Sequence, residues 1–150
     1  MEYALRAVVY LAAQDGKAAV NHEIAAAMQV PVGYMAKVLQ NLRRAGLVKS
    51  QRGLRGGFVL GRSPSEMTIL DVVNSVDPVP RIKKCPLGLK EHQLQLCPLH
   101  KQLDKAAALM EEVFAAHTIE ELVITSGSDS DPLKKISSIS SQKTDTTCSL

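Results

Sequence analysis

The stretch from residue 30 to residue 60 constrains the fold more than any other part of the chain. In its first half, apolar residues recur at the spacing of one helix face, which predicts a buried stripe. The stripe consists of Met35, Val38, Leu39 and Leu42. Another face of the same helix offers hydrogen-bond donors and positive charge, and it consists of Gly33, Lys37, Gln40 and Arg44. Gly46 follows as the predicted C′ residue, where the helix ends.

Two short strands follow this helix, and a glycine-rich tip joins them. The strands are predicted at residues 47–51 and 58–60, and the tip between them holds Arg52 and Arg55. Short β-rich runs separated by glycines are typical of a β-hairpin. The sequence therefore predicts a hairpin with a basic tip directly after a helix with a basic face.

A second, shorter helix precedes the basic helix. It is predicted at residues 22–28 with Asn21 as its N-cap, and a turn at residues 29–31 separates the two helices. Two helices joined by such a turn and followed by a hairpin are typical of a winged helix-turn-helix. In that fold the second helix enters a major groove, and the wing lies along the backbone or in the minor groove.

The charge of the chain is divided unevenly. Residues 1–62 contain nine Lys/Arg and three Asp/Glu, whereas residues 63–150 contain nine and twelve, so net charges of +6 and −3 underlie the overall +3. Positive charge thus coincides with the helix-turn-helix pattern, as expected for a protein that binds nucleic acid. Aromatic residues make up 3% of the chain, which favours an aliphatic, helical core.

The predicted fold class is mainly α: a winged helix-turn-helix domain followed by a long C-terminal dimerisation helix. Helices at residues 2–13 and 69–76 complete the winged domain, and Thr68 with Asp71 forms a capping box that opens the second of them. The predicted units are the winged domain at 1–76, a sensor loop at 77–97, the dimerisation helix at 98–124 and a disordered tail at 125–150.

The helix that begins at Pro98 and runs to about His117 carries a long apolar stripe. The stripe consists of Leu99, Leu103, Ala106, Met110, Val113 and Phe114. It could pack on the winged domain or pair with the same helix of a second copy. We expect the homodimer, because helix-turn-helix proteins commonly bind two half-sites.

Several stretches resemble the Rrf family of bacterial winged-helix regulators, which comprises IscR-, NsrR- and CymR-like proteins. The similarity covers residues 2–124 in order. The matching stretches are residues 2–7, 30–34, 42–48, 52–53, 56–58 with Leu60, and 69–73. The resemblance implies a homodimeric DNA-binding repressor or activator with a long dimerisation helix. It also implies that the loop before this helix is where many members carry an iron–sulfur cluster.

The chain departs from the family pattern in two places. Family members usually carry several residues ahead of the Glu2-Tyr3 pair, where Met1 stands here, and this leaves the start of the natural chain open. Cluster-bearing members usually show three cysteines at short spacings in the loop, whereas here the middle position is His92.

Four candidate metal ligands lie within sixteen residues: Cys85, His92, Cys97 and His100. Thiolate and neutral imidazole suit both iron–sulfur clusters and zinc. A mixed Cys/His set on a two-iron two-sulfur cluster raises its potential relative to all-cysteine ligation. We expect such a cluster. The alternatives are zinc, a metal-free regulator switched by cysteine oxidation or by a small ligand, and a loop without sensor chemistry.

The candidate DNA contacts lie on the basic helix and the hairpin. Lys37 and Gln40 are predicted to reach base edges, and Arg52 and Arg55 to act from the wing. Phosphate contacts are predicted for Arg43, Arg44 and Lys49, and Tyr34 is expected to lie half in the core and half against a phosphate. Gly33, on the same polar face of the helix, is also a candidate DNA-binding residue. The alternative for all of them is a solvated polar face. The expected partner is double-stranded DNA with an inverted-repeat operator.

Two other function classes are less well supported by the sequence. A winged-helix module that binds protein would not require the basic wing. An enzyme is not expected, because no nucleophile–base pair, phosphate loop or paired carboxylates are apparent. The three cysteines do not suggest a disulfide framework, and neither a secretory signal nor a membrane-length apolar run is present. We therefore expect a cytoplasmic repressor that responds to redox state, nitric oxide or iron–sulfur status, with no membrane partner.

Overall fold

The structure is a computed structural model that describes residues 1–53, 56–85 and 96–125. Within these residues the secondary structure consists of six α-helices, a 3-10 turn and a two-stranded sheet. In chain order they are α1 (Glu2–Ala13), α2 (Asn21–Met28), α3 (Val32–Arg44), β1 (Val48–Gln51), β2 (Gly57–Leu60), the 3-10 turn (Pro64–Glu66), α4 (Ile69–Val76), α5 (Pro98–Ala116) and α6 (Ile119–Thr125). The predicted mainly α fold with a small wing is confirmed.

An aliphatic core joins α1, α2, α3, α4 and α6. The predicted stripe of α3 lies inside it, because Met35, Leu39 and Leu42 are fully buried and Val38 nearly so. Val72 of α4 belongs to the same core. Burial of each such side chain contributes about 1.5–3 kcal/mol, so the core fixes the rotation of α3 about its own axis.

The wing is an antiparallel hairpin that is also attached to the loop before α2. Val48 pairs with Leu60 at one end, and the Ala19 N–H donates to the Phe58 carbonyl at 3.0 Å while the Phe58 N–H donates back at 2.8 Å. A Cβ at Gly57 would lie 2.6 Å from the Ala19 carbonyl oxygen, so this close approach requires glycine. Residues 54 and 55 at the tip lie outside the described residues.

The N-cap predicted for α2 is wrong. The helix begins at Asn21 itself, and Val20 occupies the N-cap position. The Glu23 carboxylate accepts a hydrogen bond from the Val20 N–H at 3.1 Å, because its longer side chain reaches back over the first turn. The Asn21 side-chain amide instead donates to the Val32 carbonyl at 3.2 Å and so connects α2 to the start of α3.

The other predicted helix ends agree with the structure. Gly46 has φ +74°, as a C′ residue requires, and α3 ends at Arg44. Thr68 and Asp71 form the predicted capping box, with two reciprocal hydrogen bonds of 3.1 Å between backbone N–H and side-chain oxygen. α5 ends at Ala116, one residue short of the prediction.

α5 lies along the outside of the fold and is attached at its C-terminal end. The Ile69 N–H donates to the His117 carbonyl at 3.0 Å, and the Ile119 N–H donates to the Met67 carbonyl at 2.8 Å. These two bonds fix the α5–α6 junction to the start of α4, while Ile119 is fully buried. No residue of α5 is buried among the described residues.

Two further predictions concern membrane-spanning helices and the C-terminal tail. In the parts of the chain that the structure describes, no helix combines the length and apolar character needed to cross a bilayer. The tail predicted to be disordered lies, from residue 126 onward, outside the described residues.

Candidate nucleic-acid interface and metal centre

The solvent side of α3 carries the residues predicted to contact DNA. Because the apolar stripe faces the core, the opposite side chains are directed outward. Exposed residues on this side are Gly33, Tyr34, Lys37, Gln40, Arg43 and Arg44. The helix can therefore present donors and cations to a groove without disturbing the packed face.

The wing adds cations beside this helix. Lys49 is exposed on β1, and Arg52 is exposed directly after it. Among the described residues, none of the cations of α3 and the wing forms an ion pair. The ion pairs there join Arg6 to Glu2, Arg81 to Asp104 and Glu111, and His117 to Glu121. Arg55, also predicted on the wing, lies outside the described residues. The positive charge of Lys37, Lys49 and Arg52 is thus not neutralised by nearby carboxylates.

Tyr34 has a neighbour that the sequence did not indicate. Its ring contacts the ring of Tyr3 edge to face, with centroids 5.7 Å apart and an interplanar angle of 80°. Both tyrosines are exposed, at 37% for Tyr3 and 47% for Tyr34. The α1 terminus therefore supports the start of α3, and Tyr3 joins the candidate interface. The only sequence signal was its place in the stretch shared with the family.

Three of the four predicted metal ligands come together where α5 begins. The Nδ1 atom of His100 lies 3.1 Å from the Sγ atom of Cys97 and 3.8 Å from that of Cys85. All three ligand atoms lie within 4.8 Å of one another. The fourth predicted ligand, His92, lies outside the described residues. Cys85 thus meets two residues that lie twelve and fifteen positions further along the chain.

The donor set fits a soft or borderline metal centre. Bond lengths of about 2.3 Å to sulfur and about 2.0–2.1 Å to nitrogen imply ligand separations of about 3.5–4 Å around a tetrahedral ion. The distances from the His100 Nδ1 atom, 3.1 Å to Cys97 Sγ and 3.8 Å to Cys85 Sγ, are close to this range, and the two sulfur atoms lie no more than 4.8 Å apart. Both cysteines are thiols and all three residues are partly buried.

Local sequence explains the pairing of Cys97 with His100. Cys97 is the N-cap of α5 with extended backbone (φ −60°, ψ 159°), and Pro98 is the first helical residue. His100 follows three positions after the N-cap, so the imidazole lies over the same turn as the thiol. Proline at the first position costs no hydrogen bond there, because that N–H has no partner within the helix.

A charged network that sequence reasoning missed holds the segment containing Cys85. Arg81 donates from Nε and Nη2 to the two carboxylate oxygens of Asp104 at 2.8 and 2.9 Å, and from Nη1 to Glu111 at 2.7 Å. The Ile82 N–H also donates to Asp104, at 2.9 Å. The partners are 22 to 30 residues apart, so no local pattern could indicate them.

Comparison with known proteins agrees with this architecture. A family model described as "Rrf2: Iron-dependent Transcriptional regulator" matches residues 1–125. Protein aau3 of Rhizobium meliloti is 38% identical over 123 residues, which cover 81% of this chain and 80% of that protein. The HTH-type transcriptional regulator NsrR of Bacillus licheniformis is 27% identical over 126 residues, which cover 82% and 88%.

A solved structure has the same fold. CymR (YrzC), described as the global cysteine regulator of B. subtilis, superposes with a TM-score of 0.67 at 27% identity, over 83% of this chain and 92% of CymR. The family match spans most of the chain and includes the winged domain, the thiol–imidazole centre and α5. The chain therefore belongs to the Rrf2 family of DNA-binding transcriptional regulators, which are not enzymes.

Proposed function

We propose that this protein is a homodimeric transcriptional repressor whose binding to an inverted-repeat operator depends on a two-iron two-sulfur cluster. The observation that carries the proposal is the convergence of Cys85, Cys97 and His100 within 4.8 Å at the start of α5. A zinc ion bound by the same ligands is the second assignment for this centre. A dithiol switch is the third, since the two sulfur atoms are close together.

DNA recognition is assigned to α3 and the wing. Lys37 and Gln40 are one turn apart on the exposed face of α3, so both can reach base edges in one major groove. Arg52 and Lys49 act from the wing on phosphates or in the minor groove, and Arg55 is proposed to act with them. Gly33, Tyr34 and Arg44 contribute at the edge of the groove, with Tyr3 supporting Tyr34.

Dimerisation is assigned to α5. Its apolar side chains are open to solvent in the single chain, with exposed fractions of 65% for Leu99, 57% for Val113 and 43% for Met110. A row of apolar residues on one helix this exposed is typical of a helix that pairs with another copy. A dimer would bring two α3 helices toward successive major grooves, about 34–36 Å apart.

The ligands of the cluster are assigned to Cys85, Cys97 and His100, with His92 proposed as the fourth. Two thiolates and imidazole nitrogen match the ligands that two-iron clusters accept. When bound, the cluster would supply a redox-active iron centre that oxidants or nitric oxide can attack. The chain holds the ligands together, and its conformation near the ligands is proposed to change when the cluster is lost.

The covalent path supports a coupling between this centre and DNA binding. Residues 77–85 run from the end of α4 to Cys85, and His117 fixes the far end of α5 to Ile69 at the start of α4. α4 in turn packs on α3 through the core residue Val72. A displacement of the ligands along α5 would therefore be transmitted to the recognition helix and to the spacing of the two winged domains.

DNA recognition predicts different effects for two substitutions. Lys37→Ala should lower discrimination between operator and altered operators by about 1–3 kcal/mol, because a base-edge contact is lost. Arg52→Ala should weaken binding to all duplexes and reduce the salt dependence by about one counterion. Lys105→Ala on α5 is the control. It removes one positive charge at a position outside α3 and the wing, and it should change neither the discrimination between duplexes nor the salt dependence of binding. Affinities measured across a salt series on a duplex selected from random DNA provide the test. Failure of the wild type to select any duplex would contradict the assignment.

The dimer predicts that one charge in the apolar stripe is sufficient to separate the subunits. Met110→Glu would bury a carboxylate between two helices, at a cost of several kcal/mol. Because Met110 is exposed in the single chain, the fold of each subunit should survive. Lys105→Glu, an exposed position on another face of the same helix, is the control and should remain dimeric. Light scattering at micromolar concentration distinguishes these outcomes, and a monomeric wild type would disprove the dimer.

The cluster predicts iron and acid-labile sulfide in equal amounts in protein purified without oxygen, with visible colour. Cys97→Ala and His100→Ala should each lose most of both, because each removes a ligand. Cys148→Ser and His22→Ala alter a cysteine and a histidine outside the centre and should retain iron and sulfide. Wild type with no more iron than Cys97→Ala would exclude the cluster. Tightly bound zinc in place of iron would then support a zinc site. Reversible thiol oxidation without metal would support the dithiol switch.

A further inference from the structure

The ligand Cys85 reaches the centre on a segment that has no regular secondary structure. Residues 78–82 and Cys85 are irregular, whereas Cys97 and His100 are held by the first turn of α5. Helix geometry alone therefore places two of the three ligands. Something else must hold Cys85 within 3.8 Å of the His100 ring.

The contacts of Arg81 are suited to that task. Its guanidinium engages Asp104 through two parallel hydrogen bonds and Glu111 through a third. Two parallel bonds to one carboxylate fix orientation as well as distance. The next residue, Ile82, adds a backbone bond to the same carboxylate. Consecutive residues of the irregular segment are thus attached to one point on α5, and we call this arrangement the Arg81 clasp.

The clasp and the ligands share one face of α5. Asp104 lies seven residues after Cys97 and four after His100, and Glu111 lies seven after Asp104. These spacings correspond to whole helical turns, so the four side chains form one row. The segment before Cys85 therefore runs along the same row of α5 that carries the other two ligands.

The side chains of the clasp are partly shielded from solvent. The side chains of Arg81, Asp104 and Glu111 are 35%, 22% and 28% exposed. The hydrogen bonds from Arg81, and then the one from the Ile82 N–H, lower the pKa of Asp104 to about 2. The bonds to Asp104 and Glu111 raise the pKa of Arg81. Both groups are therefore fully charged at neutral pH.

We propose that Arg81 is a positioning residue for the metal centre: by clasping Asp104 it holds Cys85 beside Cys97 and His100. Its role in metal binding rests on the proposed function, whereas its role in bringing the two thiols together does not. Without the clasp, Cys85 would be less restrained, and the free energy of metal binding would have to offset more of the entropy cost of ordering it.

The thiol role is tested on metal-free full-length protein in a Cys148→Ser background. In glutathione buffers, Cys85 and Cys97 each lose one proton and one electron to form a disulfide, and oxidised glutathione becomes two thiols. The equilibrium gives the effective concentration of one thiol at the other. Arg81→Met should lower this effective concentration about fivefold, because a charged bidentate contact is lost. Arg6→Met, which breaks the exposed ion pair with Glu2 on α1, is the matched control and should leave it unchanged.

A second variant shows whether Arg81 acts through Asp104. Asp104→Asn should lower the effective concentration as well, and adding Arg81→Met to it should have a smaller further effect than in the wild type. Circular dichroism of each variant reports whether the helices are intact. Equal effective concentrations in wild type and Arg81→Met would overturn the proposal, as would full additivity of the two substitutions.

Iron retention separates this inference from the proposed function. If both are correct, Arg81→Met should lose iron to a chelator about fivefold faster than wild type and Arg6→Met. If the wild type binds no iron, the cluster is wrong, yet the thiol measurement still decides the clasp. If iron is bound and retained equally well by Arg81→Met, and the thiol pair is also unchanged, the clasp is wrong and the cluster stands.

Discussion

The burial of one face of α3 is the constraint on which the rest of the structure depends. Met35, Leu39 and Leu42 are fully buried against the neighbouring helices, so α3 cannot rotate without exposing them. Each of these side chains contributes about 1.5–3 kcal/mol by leaving water. The polar face is exposed as a direct consequence, and Lys37 and Gln40 point outward because the opposite side is committed to the core. The wing follows at a fixed place because Gly46 ends the helix and the Phe58–Ala19 bonds anchor the hairpin.

Two attachments join α5 to the rest of the chain, and the proposed coupling between the metal centre and DNA binding depends on them. At the C-terminal end, two backbone hydrogen bonds join residues 117 and 119 to residues 69 and 67. Within the helix, at Asp104 and Glu111, the Arg81 clasp joins the segment after α4 to the row of α5 that carries Cys97 and His100. A change among the ligands would therefore act on both ends of α4. The apolar stripe of α5 is largely exposed in the single chain, and a second copy of the chain is proposed to cover it.

The sequence indicated the parts that depend on local periodicity and missed those that depend on distant charges. The stripe of α3, the Thr68–Asp71 box and the start of α5 at Pro98 follow from neighbouring residues, and all three agree with the structure. The predicted N-cap of α2 is wrong because the helix begins one residue earlier: Glu23 accepts the Val20 N–H, and the Asn21 amide donates to the Val32 carbonyl in the next helix. Cys97 and His100 could be paired by spacing, whereas Cys85 depends on Arg81 and Asp104, 23 residues apart.

The metal state of the Cys85, Cys97 and His100 centre is proposed to control DNA binding. The affinity of oxygen-free protein for its selected duplex, measured before and after iron is removed at one fixed salt concentration, tests this directly. We expect the two affinities to differ by about tenfold or more, corresponding to about 1.4 kcal/mol of coupling, and Cys97→Ala to show no such difference. Equal affinities of the iron-loaded and iron-free wild type would contradict it.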